Sequence, residues 1–273
     1  MNINFSKLTA AGNDFVLIDN RENIIAEKDC EFLAKKLCDR RYSIGGDGLI
    51  LLEKSASKDF KMKYFNSDGS HASMCGNGGR SVAQFAYELG VVNSKMAFET
   101  DAGVINAEIL SHNRVKLDLY NPKDLNRDMK IEIDGKELNV DFINTGVPHA
   151  VIFVDCAEEM DVFKYGRQVR HHKVFAPYGT NVDFVEVVKD NTLIVRTYER
   201  GIEDETLACG TGITASGIIS VLKGFAKSPV NIIARGGDKL SVSLKNLGGK
   251  ISDVILEGPA VVAFKGMVEI SLK

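Results

Sequence analysis

The chain has 273 residues, 44% of them hydrophobic and 26% charged, with 34 Lys and Arg against 37 Asp and Glu for a formal net charge of −3. That balance excludes disordered, collagen-like and low-complexity classes, and it offers no long-range attraction to nucleic acid or an acidic membrane, neither of which is an expected partner. No run of about 18 apolar residues occurs, the segment MNINFSKLTAAGNDF has no basic stretch followed by an apolar one, and a cytoplasmic location is expected.

Short segments rich in Val, Ile, Leu and Phe predict strands at 15–20, 47–53, 61–66, 96–100, 104–110 and 115–120, then at 150–155, 182–188, 193–199, 230–234, 240–244, 253–258 and 268–272. Helices are fewer. Cys30, Leu33, Ala34, Leu37 and Cys38 share one helical face. After Cys75, Val82, Phe85, Ala86 and Leu89 recur at helical spacing and stop at Gly90; after Cys209, Ile213, Ile219 and Leu222 do so and stop at Gly224. The expected class is α+β, with strands outnumbering helices.

The halves of the chain match at a constant offset. Cys75-Gly76-Asn77-Gly78 and Cys209-Gly210-Thr211-Gly212 lie 134 positions apart, and the same offset relates Gly12 to Gly146, Asp47 to Asn181, Tyr64 to Tyr198 and Gly103 to Gly237. Five matches in register predict two copies of one fold: an N-terminal domain at 1–119, joined by a returning strand at 264–273, and a C-terminal domain at 120–263. Two such copies are expected to bring equivalent residues to one cleft between them.

The five cysteines (Cys30, Cys38, Cys75, Cys156, Cys209) are odd in number and follow no disulfide framework, so free thiols are expected. Cys30, Cys38 and Cys156 read as small buried hydrophobes. Cys75 and Cys209 are different, because each stands in a glycine turn where a helix opens. There the helix dipole and unpaired amides favour a thiolate, and the glycines admit a substrate carboxylate to the same amides. Two such thiols across one cleft suit inversion of a stereocentre, one removing a proton while the other delivers one to the opposite face. Of the pair, one is ionised at rest, since two thiolates in one cleft repel.

Other motifs are weaker. Gly210 to Ala215 fits G-x-G-x-x-A, but the acids Glu203, Asp204 and Glu205 precede it and oppose a pyrophosphate. Cys30 and Cys38 lack zinc-ligand spacing, so no metal is expected, and His171-His172 reads as a solvated helix end. No serine nucleophile elbow is present. Asn13, Asn66, Asn181, Glu199 and Arg200 lie beside the duplicated glycines, each individually compatible with a turn or capping role. Glu199 and Arg200 are also candidates to hold the ammonium and carboxylate of an amino acid, and His149 to tune a nearby thiol.

Along its whole length the sequence resembles the diaminopimelate epimerases, cofactor-independent amino-acid racemases. The resemblance rests on Gly12-Asn13-Asp14-Phe15, Phe65-Asn66-x-Asp68-Gly69-Ser70, Met74-Cys75-Gly76-Asn77-Gly78, Gly146-x-Pro148-His149, Gly179-Thr180-Asn181-Val182 and Glu199-Arg200-Gly201 leading to Cys209-Gly210-Thr211-Gly212. It implies two pseudo-symmetric domains, each a curled, mostly antiparallel sheet around a central helix, and interconversion of LL- and meso-diaminopimelate without a cofactor, in lysine and peptidoglycan-precursor synthesis. By that likeness Cys75 and Cys209 are the acid/base thiols, and Asn13, Asn66, Asn181, Glu199 and Arg200 bind substrate. The amides of Gly76-Asn77 and Gly210-Thr211 hold the carboxylate at the reacting carbon, and His149 and Glu199 influence the thiols. Val147 departs from the Asn of many members, Gly48 from the Gln of some, and Ser81 from a common Cys; the first two leave open a racemase of the same fold acting on another amino acid. A thiol redox switch joining Cys75 and Cys209 is the alternative from another class. The sequence leaves the oligomeric state open, a homodimer included.

Overall fold

The computed structural model describes residues 1–189 and 191–270. The chain divides into two compact units, Met1–Asp118 together with the stretch from Gly258, and Leu119–Glu257.

In the first unit, β1 (Asn2–Ala10) and β2 (Asn13–Asp19) form a hairpin. Its two loop residues, Ala11 and Gly12, both have positive φ (53° and 88°), as in a type I′ turn, and they set Asn13 at the first position of β2. Helix α1 (Cys30–Leu37) carries the chain over to β3 (Gly48–Glu53), parallel to β2. Antiparallel β4 (Phe60–Asn66) follows, with the short β5 (His71–Ala72) beside it. Helix α2 (Gly76–Glu88) then crosses to β6 (Lys95–Thr100), parallel to β4, and β7 (Gly103–Ser111) and β8 (Arg114–Asp118) extend the sheet antiparallel. On the other side of β1 lies the returning strand Val261–Glu269, antiparallel from Thr9↔Val261 to Asn2↔Glu269.

The sheet curls around α2, which packs against β1, β2, β3, β4, β7 and β8. Helix α1 covers the outside through Leu33, Ala34 and Leu37, which meet Val16, Ile18, Leu49 and Leu51. β2 and β3 are therefore buried on both faces, which explains their unbroken apolar runs.

The second unit repeats this order. β9 (Lys123–Ile133) pairs with β10 (Lys136–Asn144), and β10 with β11 (Pro148–Phe153). Helix α3 (Val162–Arg170) crosses to β12 (Asn181–Val188), parallel to β11, and β13 (Thr192–Glu199) and the short β14 (Asp204–Thr206) follow. Helix α4 (Gly210–Lys223) crosses to β15 (Val230–Ala234), parallel to β13, and β16 (Lys239–Leu247) and β17 (Lys250–Pro259) complete the set. Helix α4 packs on β10 to β13, β15 and β16, as α2 does in the first unit. Each curled sheet contains two parallel pairs and is otherwise antiparallel.

Several elements differ from the sequence expectation. β1, β5, β9, β10 and β14 are absent from the expected strands; in β9 the first six residues are exposed and, Leu125 apart, polar. Helix α3 was signalled only by its solvated end, His171, which is its C-cap. The returning stretch begins at Gly258 rather than 264, since it pairs along almost the whole of β1. Among the described residues no helix is long and apolar enough to cross a membrane.

Candidate active site

In the first unit Cys75 is the N-cap of α2, with extended φ and ψ of −141° and 127°, and its Sγ accepts a hydrogen bond from the Gly78 amide at 3.5 Å. The Gly76 to Gly79 turn is what allows the strand to become a helix directly at the thiol. A Cβ at Gly79 would stand 2.9 Å from Met74 Cε.

Asn77 sits in this turn and is 2% exposed. Its Nδ2 donates to Asn13 Oδ1 at 2.6 Å, and its Oδ1 accepts from Arg80 Nη2 at 2.5 Å. Arg80 is fully buried and also donates to the carbonyls of Gly76 (3.4 Å) and Pro259 (3.3 Å). A cation is thus fixed in the first turns of the helix that Cys75 opens. Asn13 in turn donates to Asp47 Oδ2 at 2.8 Å. Asn66, at the end of β4, closes the Asn66 to Ser70 turn through its backbone and through Nδ2 to Ser70 Oγ at 2.9 Å. The Ser67 amide donates to the Asp47 carbonyl, tying that turn to the same loop.

Asp14 anchors this loop. Burial opposes its ionisation, but hydrogen bonds and charge from Arg40 (2.5 Å) and Lys7 (2.7 Å) win and hold its carboxyl at about 2. A depressed carboxylate contributes stability above its unfolded value and loses it as pH falls through the folded one. The shift from 3.8 to about 2 corresponds to roughly 2 kcal/mol. Urea unfolding at pH 5 and pH 2 is expected to show that part of the loss in wild type and not in Asp14→Asn; equal losses in both would remove Asp14 as the cause.

In the second unit Cys209 is the N-cap of α4, also extended (φ −114°, ψ 110°), and is 7% exposed. Its Sγ lies 3.3 Å from Thr211 Oγ1, which lies 2.9 Å from Nε2 of fully buried His149. The His149 Nδ1 is 2.7 Å from Asp183 Oδ2, and Asp183 Oδ1 accepts from Thr197 Oγ1 at 2.7 Å. Asn181 has its Nδ2 on the Pro148 carbonyl (3.1 Å) and its Oδ1 on the Arg200 amide (2.8 Å), so protein groups occupy both ends of that amide. The Arg200 guanidinium reaches the Tyr178 carbonyl at 3.4 Å. Thr145 Oγ1 donates to the Thr211 carbonyl at 2.9 Å, fastening the 145–149 loop to the start of the helix.

The helix start was expected to favour a thiolate at both cysteines. At Cys209 the balance runs the other way. Burial pushes this thiol well above its ordinary value, the charges of Glu199 and Asp183 push in the same direction, and the Thr211 hydroxyl and Gly212 amide only partly offset them. Ionisation of the Cys209 thiol is disfavoured in this setting. Burial also raises Cys30 to about 11 and Cys38 to about 12, and both lie in the core under α1, consistent with inert thiols.

The structure therefore gathers Asn13, Asn66, Cys75, Gly76 and Asn77 in one unit, and His149, Asn181, Glu199, Arg200, Cys209, Gly210 and Thr211 in the other. Sequence reading missed Asp183, Thr197, Arg80 and Asp47 as members of the hydrogen-bond networks around these residues. Asp183 carried the clearest signal: an acid between Val182 and Phe184 at the start of an apolar strand needs a partner once it is buried. The acids set against a dinucleotide are partly paired, Glu203 with Arg170 (3.0 Å) and Glu205 with Arg196 (2.6 Å).

A family model described as "Diaminopimelate epimerase" matches residues 5–123 and 142–262. A diaminopimelate epimerase of Aquifex aeolicus is 46% identical over 272 residues, with 96% of each chain covered, and one of Hydrogenobaculum sp. is 44% identical, covering 96% of this chain and 97% of that one. Among solved structures, a phenazine biosynthesis protein of the PhzF family from Bacillus anthracis has a TM-score of 0.75 at 16% identity, covering 99% of this chain and 100% of its own. A probable proline racemase from Agrobacterium radiobacter has a TM-score of 0.72 at 15% identity, covering 99% and 93%. These two establish the fold alone. From the family match and the named relatives, the chain belongs to the diaminopimelate epimerase family and is an isomerase.

Proposed function

We propose that the protein interconverts LL- and meso-2,6-diaminopimelate by moving the α-proton between Cys75 and Cys209, as a step of lysine and peptidoglycan-precursor synthesis. The carrying observation is the pairing itself: a cysteine opens the glycine-led helix at the same topological position of both units, in a chain of this family. In this reading the two thiols address opposite faces of one carbon.

Cys209, held neutral, delivers the proton in the LL-to-meso direction. Cys75, as thiolate, removes the α-proton from the other face. The C–H bond breaks as S–H forms on Cys75, and the carbanion takes the Cys209 proton, leaving Cys75 as thiol and Cys209 as thiolate. The reverse reaction exchanges the roles. The Gly76, Asn77, Gly210 and Thr211 amides hold the carboxylate beside the developing negative charge, where helix dipoles favour it. Glu199 and Arg200 take an ammonium and a carboxylate, Asn13, Asn66 and Asn181 complete the polar shell, and His149 and Glu199 bias the Cys209 thiol.

Val147 and Gly48 remove side-chain amides found in many or some members, which favours testing a second reading, a racemase of another amino acid. Purified protein given LL-diaminopimelate beside a panel of single amino acids is expected to turn over the diaminopimelate at least about 10²-fold faster, the order of discrimination lost when polar binding groups go unpaired. Faster turnover of proline or another monoamino acid would replace the substrate and keep the chemistry.

A further inference from the structure

A guanidinium taken wholly out of water is costly, yet Arg80 is 0% exposed. The fold does not demand it. At the offset of 134 its counterpart in α4 is Thr214, whose Oγ1 donates to the Gly210 carbonyl at 2.8 Å. Arg80 Nη1 serves the matching Gly76 carbonyl at 3.4 Å. A hydroxyl therefore suffices for that carbonyl in one repeat, whereas the other encloses a cation. Its neighbours differ as well: Asn77 and Asn13 stand where the second unit has Thr211 and Val147. A cation in the first turns is repelled by the helix dipole, and an anion bound at the helix start relieves that repulsion.

The donor inventory gives the relay from Arg80 a single direction. A guanidinium only donates, so Asn77 turns Oδ1 to Arg80 (2.5 Å) and Nδ2 to Asn13 Oδ1 (2.6 Å). A carboxylate only accepts, so Asn13 turns Nδ2 to Asp47 (2.8 Å). Both ends thus demand the same orientation of both amides. Asp47 is itself held by Arg40 Nη2 at 2.7 Å and by the Asp14 amide at 3.1 Å, while Arg80 Nε holds the Pro259 carbonyl at 3.3 Å. The turn that follows Cys75 is thereby tied to the β1–β2 hairpin, to the loop before β3 and to the returning stretch, with a positive charge fixed beside it.

We infer that Arg80 is a positioning residue for the carboxylate that the proposed function places on the Gly76 and Asn77 amides. It holds Asn77 and the turn in one arrangement, and its charge adds to the helix dipole at the point where the carboxylate sits. The inference rests on that placement of the substrate. The guanidinium bears on the carboxylate alike before and during proton transfer, so its loss is expected to appear in KM rather than in kcat.

The test compares anionic iodoacetate with neutral iodoacetamide at Cys75, the thiol that opens this turn. Both reagents consume the same thiolate, so the ratio of their rates cancels the thiolate population and reads the charge met by an approaching carboxylate. By peptide mass spectrometry at pH 8, the wild-type ratio is expected to be about fivefold above that of N-acetylcysteinamide, the order of one charge acting a few ångströms away in a wetted site. Arg80→Gln keeps a donor without the charge and Arg80→Met removes both, and each is expected to lose that excess. Arg80→Lys keeps the charge and is expected to stay within about twofold of wild type. With LL-diaminopimelate, Arg80→Gln is expected to raise KM about tenfold and leave kcat within about threefold. A wild-type ratio no higher than that of the free thiol overturns the inference without any variant having to fold. A Gln variant with the wild-type ratio, or a Lys variant as low as Gln, overturns it too. An Arg80-dependent excess in a protein that epimerises nothing supports the inference while removing the proposed function, and an active epimerase without the excess does the reverse.

Discussion

Replacing Cys75 or Cys209 with alanine, one at a time, is expected to cut epimerisation of LL-diaminopimelate by about 10³-fold or more, near the upper range of what positioned acids and bases contribute. Each loss is expected to be nearly complete because the proposed transfer serves the faces of the carbon separately. On that proposal, without Cys75 no group takes the proton of the LL substrate, and without Cys209 the carbanion has no donor on the opposite side. The double variant is expected to be little worse than either single one, since the residues act as a unit. Serine is a harsher test than its size suggests, because a hydroxyl at the same N-cap is far less acidic than a thiol. Initial rates by optical rotation or chiral chromatography, with folding checked by circular dichroism, decide the matter. A single variant retaining a tenth of wild-type activity would remove that thiol from the chemistry.

The second large effect concerns two glycines that look alike in the sequence. Gly78 and Gly212 occupy the same position of α2 and α4, yet alanine is expected to behave differently at each. At Gly78 the new methyl would meet the ends of Ile50 and Met62 at 3.2 Å, flexible tips that can give, while alanine's better helix propensity contributes about 0.5–1 kcal/mol. The net change is expected to lie near zero. At Gly212 it would stand 2.2 Å from Asp183 Oδ1, and that side chain is held by both His149 and Thr197. Something must shift, and the expected cost is about 2–3 kcal/mol, typical of overpacking a buried site. Urea melts of the two variants measure the difference, and equal stabilities would contradict the rigidity assigned to the buried Asp183.

Much of this was legible before any coordinates. The 134-residue offset identified the duplication, and the 3.6-residue pattern after each Cys-Gly-x-Gly placed α2 and α4. β9 was missed because its exposed first half, Lys123 to Asp128, carries no alternating apolar signal. The roles within the site were harder. Asn13 and Asn181 were visible as polar residues beside glycine turns, but their hydrogen bonds to Asp47, Asn77, Pro148 and the Arg200 amide depend on strand register that spacing does not encode. The upward push on the Cys209 thiol was hidden for a similar reason. Helix position is local and readable, whereas burial and the approach of Asp183 from β12 are tertiary, and they outweigh the dipole. Nothing in the sequence singles out Arg80, and only packing shows that its guanidinium is wholly enclosed.

Turnover in deuterium oxide tests the two-thiol transfer most directly. With LL-diaminopimelate as substrate and early time points, the meso product is expected to carry one deuterium at the inverted carbon, while recovered LL substrate stays unlabelled, because the proton removed by one sulfur is not the one returned by the other. Product that keeps its original hydrogen, or substrate that labels as fast as product, would contradict it.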